Sequence, residues 1–290
     1  MKAMSLKMKA QVVDALDIKI ERKIPTIDST SKQDSTIGPF PDNAPLLVRS
    51  NLNKKVPIVA LSLGPGINRV IGHISFLKSI YRERIAIHII TGSGLGLIVG
   101  ALYAHGYTPQ RIEWIFHNFF KKLEGESPYS SGWLRIVDEV LISKLNEARI
   151  QDLRVPLIIP LYNKNLKKIE YFSRGSLRNK LLANLRLLNG SNGIEYAPSL
   201  LKEVFNGNSL RKMGADITIG IDVLGNKINF SRAHDYLIGV FGKTIGYIAR
   251  DKNTLDLYFS LPLNEMPLDS TKDLPSYFER SFNSGKISVG

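Results

Sequence analysis

The apolar residues of this chain are distributed in a way that predicts alternating strands and helices from about residue 55 onward. Short apolar runs predict strands at 56–63, 85–90, 155–162 and 217–223. Helical spacing predicts helices at 70–80, 109–120 and 177–188, with a helical or mixed segment at 130–144. The run at 217–223 is almost wholly apolar, as is typical of a strand inside a parallel sheet. This alternation predicts a doubly wound α/β layer fold.

One stretch, residues 89–104 with the sequence IITGSGLGLIVGALYA, organises the rest of the prediction. An apolar run ends in a Gly-rich turn and passes at once into an apolar helix pattern. In serine hydrolases of the α/β type, such a turn presents the nucleophile, because the glycines permit a strained backbone and close packing of strand against helix. The helix N-terminus also favours negative charge nearby. The functional question is therefore which residue lies at the tip of this turn.

The first 54 residues differ from the rest and predict an N-terminal arm or linker, followed by a folded domain at 55–290. Residues 8–20 fit a short amphipathic helix, and residues 27–45 are rich in Ser, Thr, Asp, Pro and Gly. The N-terminus is basic, but acidic residues interrupt any apolar stretch of signal-peptide length, and no segment is long enough to cross a bilayer. We therefore expect a cytoplasmic or peripheral membrane location.

Composition adds a constraint on partners. Of the 290 residues, 43% are hydrophobic and 22% charged, which is ordinary for a globular protein, and the absence of cysteine excludes disulfides and thiolate metal sites. The 39 basic and 26 acidic residues give a formal net charge of +13, which favours anionic surfaces such as phospholipid headgroups unless it is simply a solvated face. No recognition motif supports nucleic-acid binding, and the histidines show no metal spacing, so we expect no nucleic acid, metal or cofactor.

Several motifs, in order, resemble patatin-like phospholipases. Residues 61–78 resemble the glycine-rich opening of that family (GGGxRG followed by HxGxL), and residues 91–109 resemble its GTSxGAxxGALYA turn and the Gly-Tyr-Thr-Pro that follows. Residues 150–157, 171–175 and 213–223 also fit the family in order. The resemblance covers about residues 55–285. It implies a three-layer α/β/α fold with a mainly parallel central sheet and the hydrolysis of lipid acyl esters by a Ser-Asp dyad, with loop N–H donors to the oxyanion.

The catalytic positions implied by this resemblance do not match. Aligning residues 98–104 without a gap places Gly94 on the nucleophile, and glycine has none, while Ser93 lies one residue early. The turn that carries the family's aspartate has its best counterpart at Asn189, with Asn192 and Asn206 as the other candidates. An asparagine amide can hydrogen-bond but cannot accept a proton at neutral pH. Both members of the dyad are therefore predicted to be lost.

The implied oxyanion loop is also altered. Gly64 and Gly66 remain, but Pro65 between them has no N–H to donate. Arg69 persists at the family's arginine position, where a structural ion pair or a cap is favoured over anion binding. Loss of nucleophile, base and loop donors together is typical of a hydrolase site that no longer works.

These departures favour a non-catalytic homologue that binds a lipid or acyl group in the remaining cleft, or a partner protein such as an active homologue, at an anionic membrane surface. The alternative is an active lipid acyl hydrolase that uses Ser93 as nucleophile, which requires a carboxylate such as Asp216 or Asp222 beside it. A scaffold subunit with a filled cleft is a third hypothesis. One basic cluster is either a membrane contact or, as we favour, a solvated face: Lys164, Lys167, Lys168, Arg174 and Arg178.

Overall fold

The protein has a mixed α/β fold built on a mostly parallel central sheet. The computed structural model describes residues 57–123, 125–145, 147–187, 195–232, 234–261, 263–270 and 288–289. The strands are β1 (Val59–Leu63), β2 (Ile89–Gly92), β3 (Leu157–Asn163), β4 (Lys168–Phe172), β5 (Tyr196–Pro198), β6 (Ile217–Asp222), β7 (Leu257–Ser260) and β8 (Ser288–Val289). Their order in the sheet is β4-β3-β2-β1-β6-β7-β8, and β5 pairs with β3.

Seven α-helices accompany the sheet in the described residues. They are α1 (Ile71–Arg82), α2 (Leu95–His105), α3 (Pro109–Lys122), α4 (Ser131–Val140), α5 (Leu177–Ala183), α6 (Gly207–Lys212) and α7 (Asp235–Asp251). Helix α3 begins where the sequence predicts, because Thr108 caps it through an acceptor bond from the Arg111 N–H and Pro109 occupies its first position. None of these helices combines the length and apolar composition needed to cross a bilayer.

The central strands are covered on both faces. Every residue of β1 and β6 is buried. Along β1, Val59, Leu61 and Leu63 belong to the large core, whereas Ala60 packs in a second, smaller core that also contains Leu210 of α6. Because successive side chains of a strand point to opposite faces, these two cores lie on opposite sides of the sheet. The predicted α/β class, with helices flanking a mainly parallel sheet, is confirmed.

The parallel strands give the sheet two opposite edges, one formed by the carboxyl ends of the strands and one by their amino ends. Strands β2 and β6 pair in parallel with β1, so their carboxyl ends lie at one edge of the sheet and their amino ends at the other. The turn at Ser93 and Gly94 follows the carboxyl end of β2, and the loop of Gly64 and Gly66 follows the carboxyl end of β1. The two stretches that the sequence analysis selected are therefore neighbours.

Some element boundaries differ from the predictions. The strand expected at 85–90 begins at Ile89, where its pairing with β1 begins, and the helix expected at 177–188 ends at Ala183. The sequence analysis did not identify helix α7 or the strands β4, β5 and β7. The predicted arm at 1–54 lies outside the described residues.

Candidate functional site

The turn after β2 has the tight geometry that its glycines predict. Ser93 donates its backbone N–H to the Leu63 carbonyl at 2.9 Å and accepts from the Gly96 N–H at 3.1 Å. A Cβ at Gly96 would lie 2.3 Å from the Gly64 carbonyl oxygen, and a Cβ at Gly92 would lie 2.6 Å from the Leu63 carbonyl oxygen. Since no side chain fits at such distances, glycine at these two positions lets β1, β2 and α2 approach closely.

Gly94 lies at the tip of this turn and caps α2. Its φ of +58° and ψ of −138° are strained for an L side chain, and a strained strand-to-helix residue is what a nucleophile elbow contains. A Cβ built at Gly94 would be 3.5 Å from Pro65 Cβ and 3.6 Å from the Tyr129 hydroxyl, which is ordinary contact. The tip therefore has the backbone and the space for a nucleophilic side chain, but it carries none.

Ser93 is fully buried beside the tip and is hydrogen-bonded to another serine. Its Oγ lies 2.8 Å from Ser199 Oγ, and either hydroxyl can donate. Ser199 follows β5 and begins a short 3₁₀ turn, and it is also buried. A serine hydroxyl cannot act as a general base at neutral pH, so this pair does not activate Ser93. The sequence analysis did not identify Ser199, which is 106 residues away along the chain.

The two carboxylates that the alternative hypothesis requires are engaged elsewhere. Asp216 accepts from the Ile58 N–H at 2.8 Å, at the amino ends of β1 and β6 and thus at the edge opposite Ser93. Asp222 accepts from the Tyr258 hydroxyl and the Leu224 N–H, each at 2.8 Å, and burial raises the pKa of its carboxyl. Neither carboxylate hydrogen-bonds to Ser93 in the described structure.

Only one of the three predicted asparagines, Asn206, lies within the described residues. Asn189 and Asn192 lie outside the described residues. Asn206 caps α6, accepting from the Ser209 N–H at 2.8 Å. Within the described part of the chain, Asn184 also reaches the tip: it is buried and donates to the Gly94 carbonyl at 3.1 Å.

The glycine-rich loop packs tightly and directs its polar atoms inward. The Gly64 N–H donates to the Ile221 carbonyl at 2.9 Å, so it is not free to stabilise an oxyanion. At Gly66, a Cβ would lie 2.4 Å from Val223 Cγ2. The side chain of His73 lies below the loop, with Nε2 2.7 Å from the Gly64 carbonyl oxygen. Burial lowers the pKa of His73 to about 4, so the ring is neutral at pH 7 and Nε2 carries the proton that it donates.

Arg69 has a structural role in this arrangement. Its guanidinium is fully buried and donates to the carbonyls of Met266 at 2.7 Å, Lys227 at 3.0 Å and Asn264 at 3.0 Å. It also donates to the Leu224 carbonyl and, at 2.5 Å, to Asn229 Oδ1. Five directed donors hold the segments that follow β6 and β7 against the loop. Arg69 is therefore a clamp on backbone carbonyls.

Aromatic side chains fill the space beside the tip. Tyr129, Trp133 and Phe241 are each at most 1% exposed, with ring centroids 4.8 Å apart for Tyr129–Trp133 and 6.2 Å apart for Tyr129–Phe241. The Tyr129 hydroxyl and the Trp133 indole N–H have no hydrogen-bond partner within the described part of the chain. Burial raises the pKa of Tyr129, so its phenol stays protonated at neutral pH. We call these three residues the aromatic plug.

The predicted basic cluster does not form a single free surface. Arg178 forms an ion pair with Asp138, and Lys168 lies 3.7 Å from Glu170. Lys164 and Lys167 are exposed on the β3–β4 hairpin. No group of three or more His, Asp or Glu side chains suited to a metal ion occurs in the described ranges.

Comparison with known proteins agrees with the resemblance found in the sequence. The family model described as patatin-like phospholipase matches residues 61–284. Among solved structures, the chain is similar to the crystal structure of the type III effector protein ExoU, with 11% sequence identity and a TM-score of 0.40. That match covers 79% of this chain and 52% of the ExoU chain, so this chain spans about half the length of that protein.

Proposed function

We propose that this chain, which belongs to the patatin-like phospholipase family, has lost the family's hydrolytic activity and acts by binding. Members of the family usually hydrolyse lipid acyl esters. The observation that carries the proposal is Gly94: the residue at the tip of the turn has the strained backbone of a nucleophile elbow and no side chain. No hydroxyl is therefore presented where an ester carbonyl would be attacked.

The neighbouring groups support the same conclusion. The hydroxyl of Ser93 is buried and bonded to Ser199, and a nucleophile needs both an acyl group within reach and a base to take its proton. Pro65 has no N–H, and the N–H of Gly64 is bonded to β6, so the loop lacks two of the donors that would stabilise an oxyanion. Nucleophile, base and oxyanion donors are separate requirements, and the proposal is supported by Gly94 having no side chain, by Ser93 bonding to a serine and by two loop positions offering no free N–H.

We propose that the chain binds a lipid or acyl group, or a partner protein such as an active homologue. Binding takes place at an anionic membrane surface. The aromatic plug favours the partner and the membrane surface over the cleft, because Gly94 is buried and the Tyr129 hydroxyl, whose ring packs against Phe241, would lie 3.6 Å from a Cβ at Gly94. The net charge of +13 supports attraction to anionic lipid.

Fluorophosphonate labelling with intact-mass detection tests the loss of hydrolysis. The purified wild type and Ser93→Ala would be assayed together with a lysophospholipid and a short acyl ester. We expect no adduct and no turnover from either protein. A labelled wild type that turns over substrate, together with a silent Ser93→Ala variant that melts like the wild type, would overturn the proposal and establish Ser93 as the nucleophile.

A further inference from the structure

A basic and aromatic pocket lies where the end of α1 meets the beginning of α3. It has a volume of about 470 Å³ and is lined by Lys78, Tyr81, Arg82, Arg84 and Gln110. Arg82, Arg84 and Gln110 are exposed to solvent. We call it the α1/α3 pocket. Nothing in the resemblance to known hydrolases assigns a role to it.

The charges at the α1/α3 pocket are unbalanced. Lys78 is neutralised by an ion pair with Glu113 that joins α1 to α3. For Arg82 and Arg84, no ion pair is present within the described ranges, whereas Glu83 between them is half-buried and already has an interaction partner. Two arginines therefore face solvent at the pocket. A guanidinium presents a planar fork of donors that matches a phosphate group.

Two exposed aromatic rings belong to the same surface. Tyr81 is 50% exposed and lines the pocket, and Trp114 is 54% exposed. Trp114 lies four residues after Gln110 on α3, which places both side chains on one face of the helix. The guanidinium of Arg111 lies 4.9 Å from the centre of the Trp114 ring and adds a third positive charge. Trp and Tyr with a polar edge and an apolar body are suited to the boundary between water and lipid.

The α1/α3 pocket lies at the edge of the sheet opposite the turn at Ser93 and Gly94. Helix α1 starts beyond the carboxyl end of β1 and ends at Arg82, shortly before the amino end of β2. Helix α2 runs in the same sense, and its Ala104 carbonyl accepts from the Val155 N–H just before β3 begins. Helix α3 starts at Pro109, directly after α2. A ligand at the pocket would therefore not approach Gly94.

From this arrangement we propose that the α1/α3 pocket binds the phosphate of an anionic phospholipid, with the rings of Tyr81 and Trp114 in the membrane interface. This inference rests on the membrane part of the proposed function, but it does not depend on the loss of hydrolysis. Binding at the α1/α3 pocket orients the protein with the turn at Gly94 away from the bilayer. A partner protein can then reach the edge of the sheet that carries this turn.

A second basic surface provides a matched comparison. Lys164 and Lys167 are exposed on the β3–β4 hairpin beside Leu166, which is 57% exposed. This surface also has two unbalanced positive charges and an apolar residue, but it is a hairpin turn with lysines. Arginines around a concave pocket bind phosphate with more direction than strongly hydrated lysines on a turn, so the observations favour the α1/α3 pocket.

Vesicle co-sedimentation tests this proposal with the full chain. The vesicles would contain phosphatidylcholine alone or with about one-third phosphatidylglycerol to supply negative surface charge. The variants would be Arg82→Gln/Arg84→Gln and the matched Lys164→Gln/Lys167→Gln, which removes the same charge. We expect anionic vesicles to bind the wild type, the arginine variant to lose about tenfold or more in affinity, and the lysine variant to lose less than about threefold. Both variants should melt like the wild type, because the replaced side chains are exposed.

Tryptophan fluorescence supplies a second readout. The chain has two tryptophans, and Trp133 is buried, so a blue shift on adding anionic vesicles should come from Trp114 and disappear in Trp114→Phe. If no anionic vesicle binds the wild type, the membrane part of the proposed function fails, whatever the labelling experiment shows.

The remaining outcomes separate other occupants of the surface. If the lysine variant loses binding and the arginine variant does not, the hairpin is the membrane surface and the α1/α3 pocket is not. If glycerol 3-phosphate binds as tightly as the vesicles do, the pocket serves a soluble phosphorylated molecule, and the lipid proposal is overturned.

Discussion

Placing a serine at the tip of the turn is the sharpest test of the proposed loss of hydrolysis. In Gly94→Ser, the new Cβ meets Pro65 Cβ at 3.5 Å and the Tyr129 hydroxyl at 3.6 Å, so no clash is introduced. The backbone there has φ +58°, which costs an L side chain about 1–3 kcal/mol. Loss of glycine's freedom in the unfolded chain offsets about 0.4–1 kcal/mol of that cost. We expect a net loss of about 1–2 kcal/mol, which urea denaturation can measure and a folded domain tolerates.

We expect the serine introduced by Gly94→Ser to have no general base that can accept its proton. Its nearest polar neighbour is the Tyr129 phenol, whose pKa is raised by burial, so it stays protonated and cannot accept the serine proton. The variant should therefore neither be labelled by a fluorophosphonate nor hydrolyse a lysophospholipid. Gly94→Ala is the matched control, since it carries the same backbone strain without the hydroxyl. If Gly94→Ser is labelled and Gly94→Ala is not, a working base remains near the tip, and the reasoning about a lost dyad is refuted.

Three further predictions concern the groups that hold the turn and the glycine-rich loop. Arg69→Met should destabilise the fold by at least about 3 kcal/mol, because it leaves several buried carbonyls unpaired; a loss below about 1 kcal/mol in urea denaturation would contradict the clamp. Ser93→Ala and Ser199→Ala should each lower the free energy of unfolding by about 1–2 kcal/mol, and the double variant should lower it by less than the sum of the two. Additive losses would show that the hydrogen bond between the two serines contributes nothing. Burial lowers the pKa of His73 to about 4 in the folded protein, whereas its pKa in the unfolded chain is about 6.5. Because the unfolded chain binds this proton more readily, the free energy of unfolding should fall by about 3 kcal/mol from pH 7 to pH 4. His73→Gln should remove that part of the pH dependence, and an unchanged slope would mean that His73 is not the cause.

The residues around Gly94 have structural roles that do not depend on catalysis. Gly92 and Gly96 are still required, because their close contacts bring β1, β2 and α2 together whether or not catalysis occurs. Arg69 and His73 have structural partners in the segments around the glycine-rich loop. These contacts account for the geometry of the turn by packing alone.

Much of the fold could be predicted from the sequence, because buried parallel strands leave a strong apolar signal. The predicted strands at 56–63, 155–162 and 217–223 overlap β1, β3 and β6, and the helix predicted from residue 109 begins at Pro109 as α3. Helix α7 was missed for a physical reason. It contains Gly239, Gly242 and Gly246, which lower helix propensity, so its stability comes from packing of residues such as Phe241 against the core.

By itself, the sequence determined the fold class, the position of the turn and the identity of the residues in it. Local order along the chain is enough for that, because the turn, its strand and its helix are consecutive. Only the tertiary structure decided what each of these residues touches. Ser199, Asn184 and Tyr129 reach Ser93 and Gly94 from distant elements, and the arginines of α1 meet α3 to form a pocket at the opposite edge. These contacts between distant elements depend on how strands pair and helices cross, and no spacing along the chain encodes them.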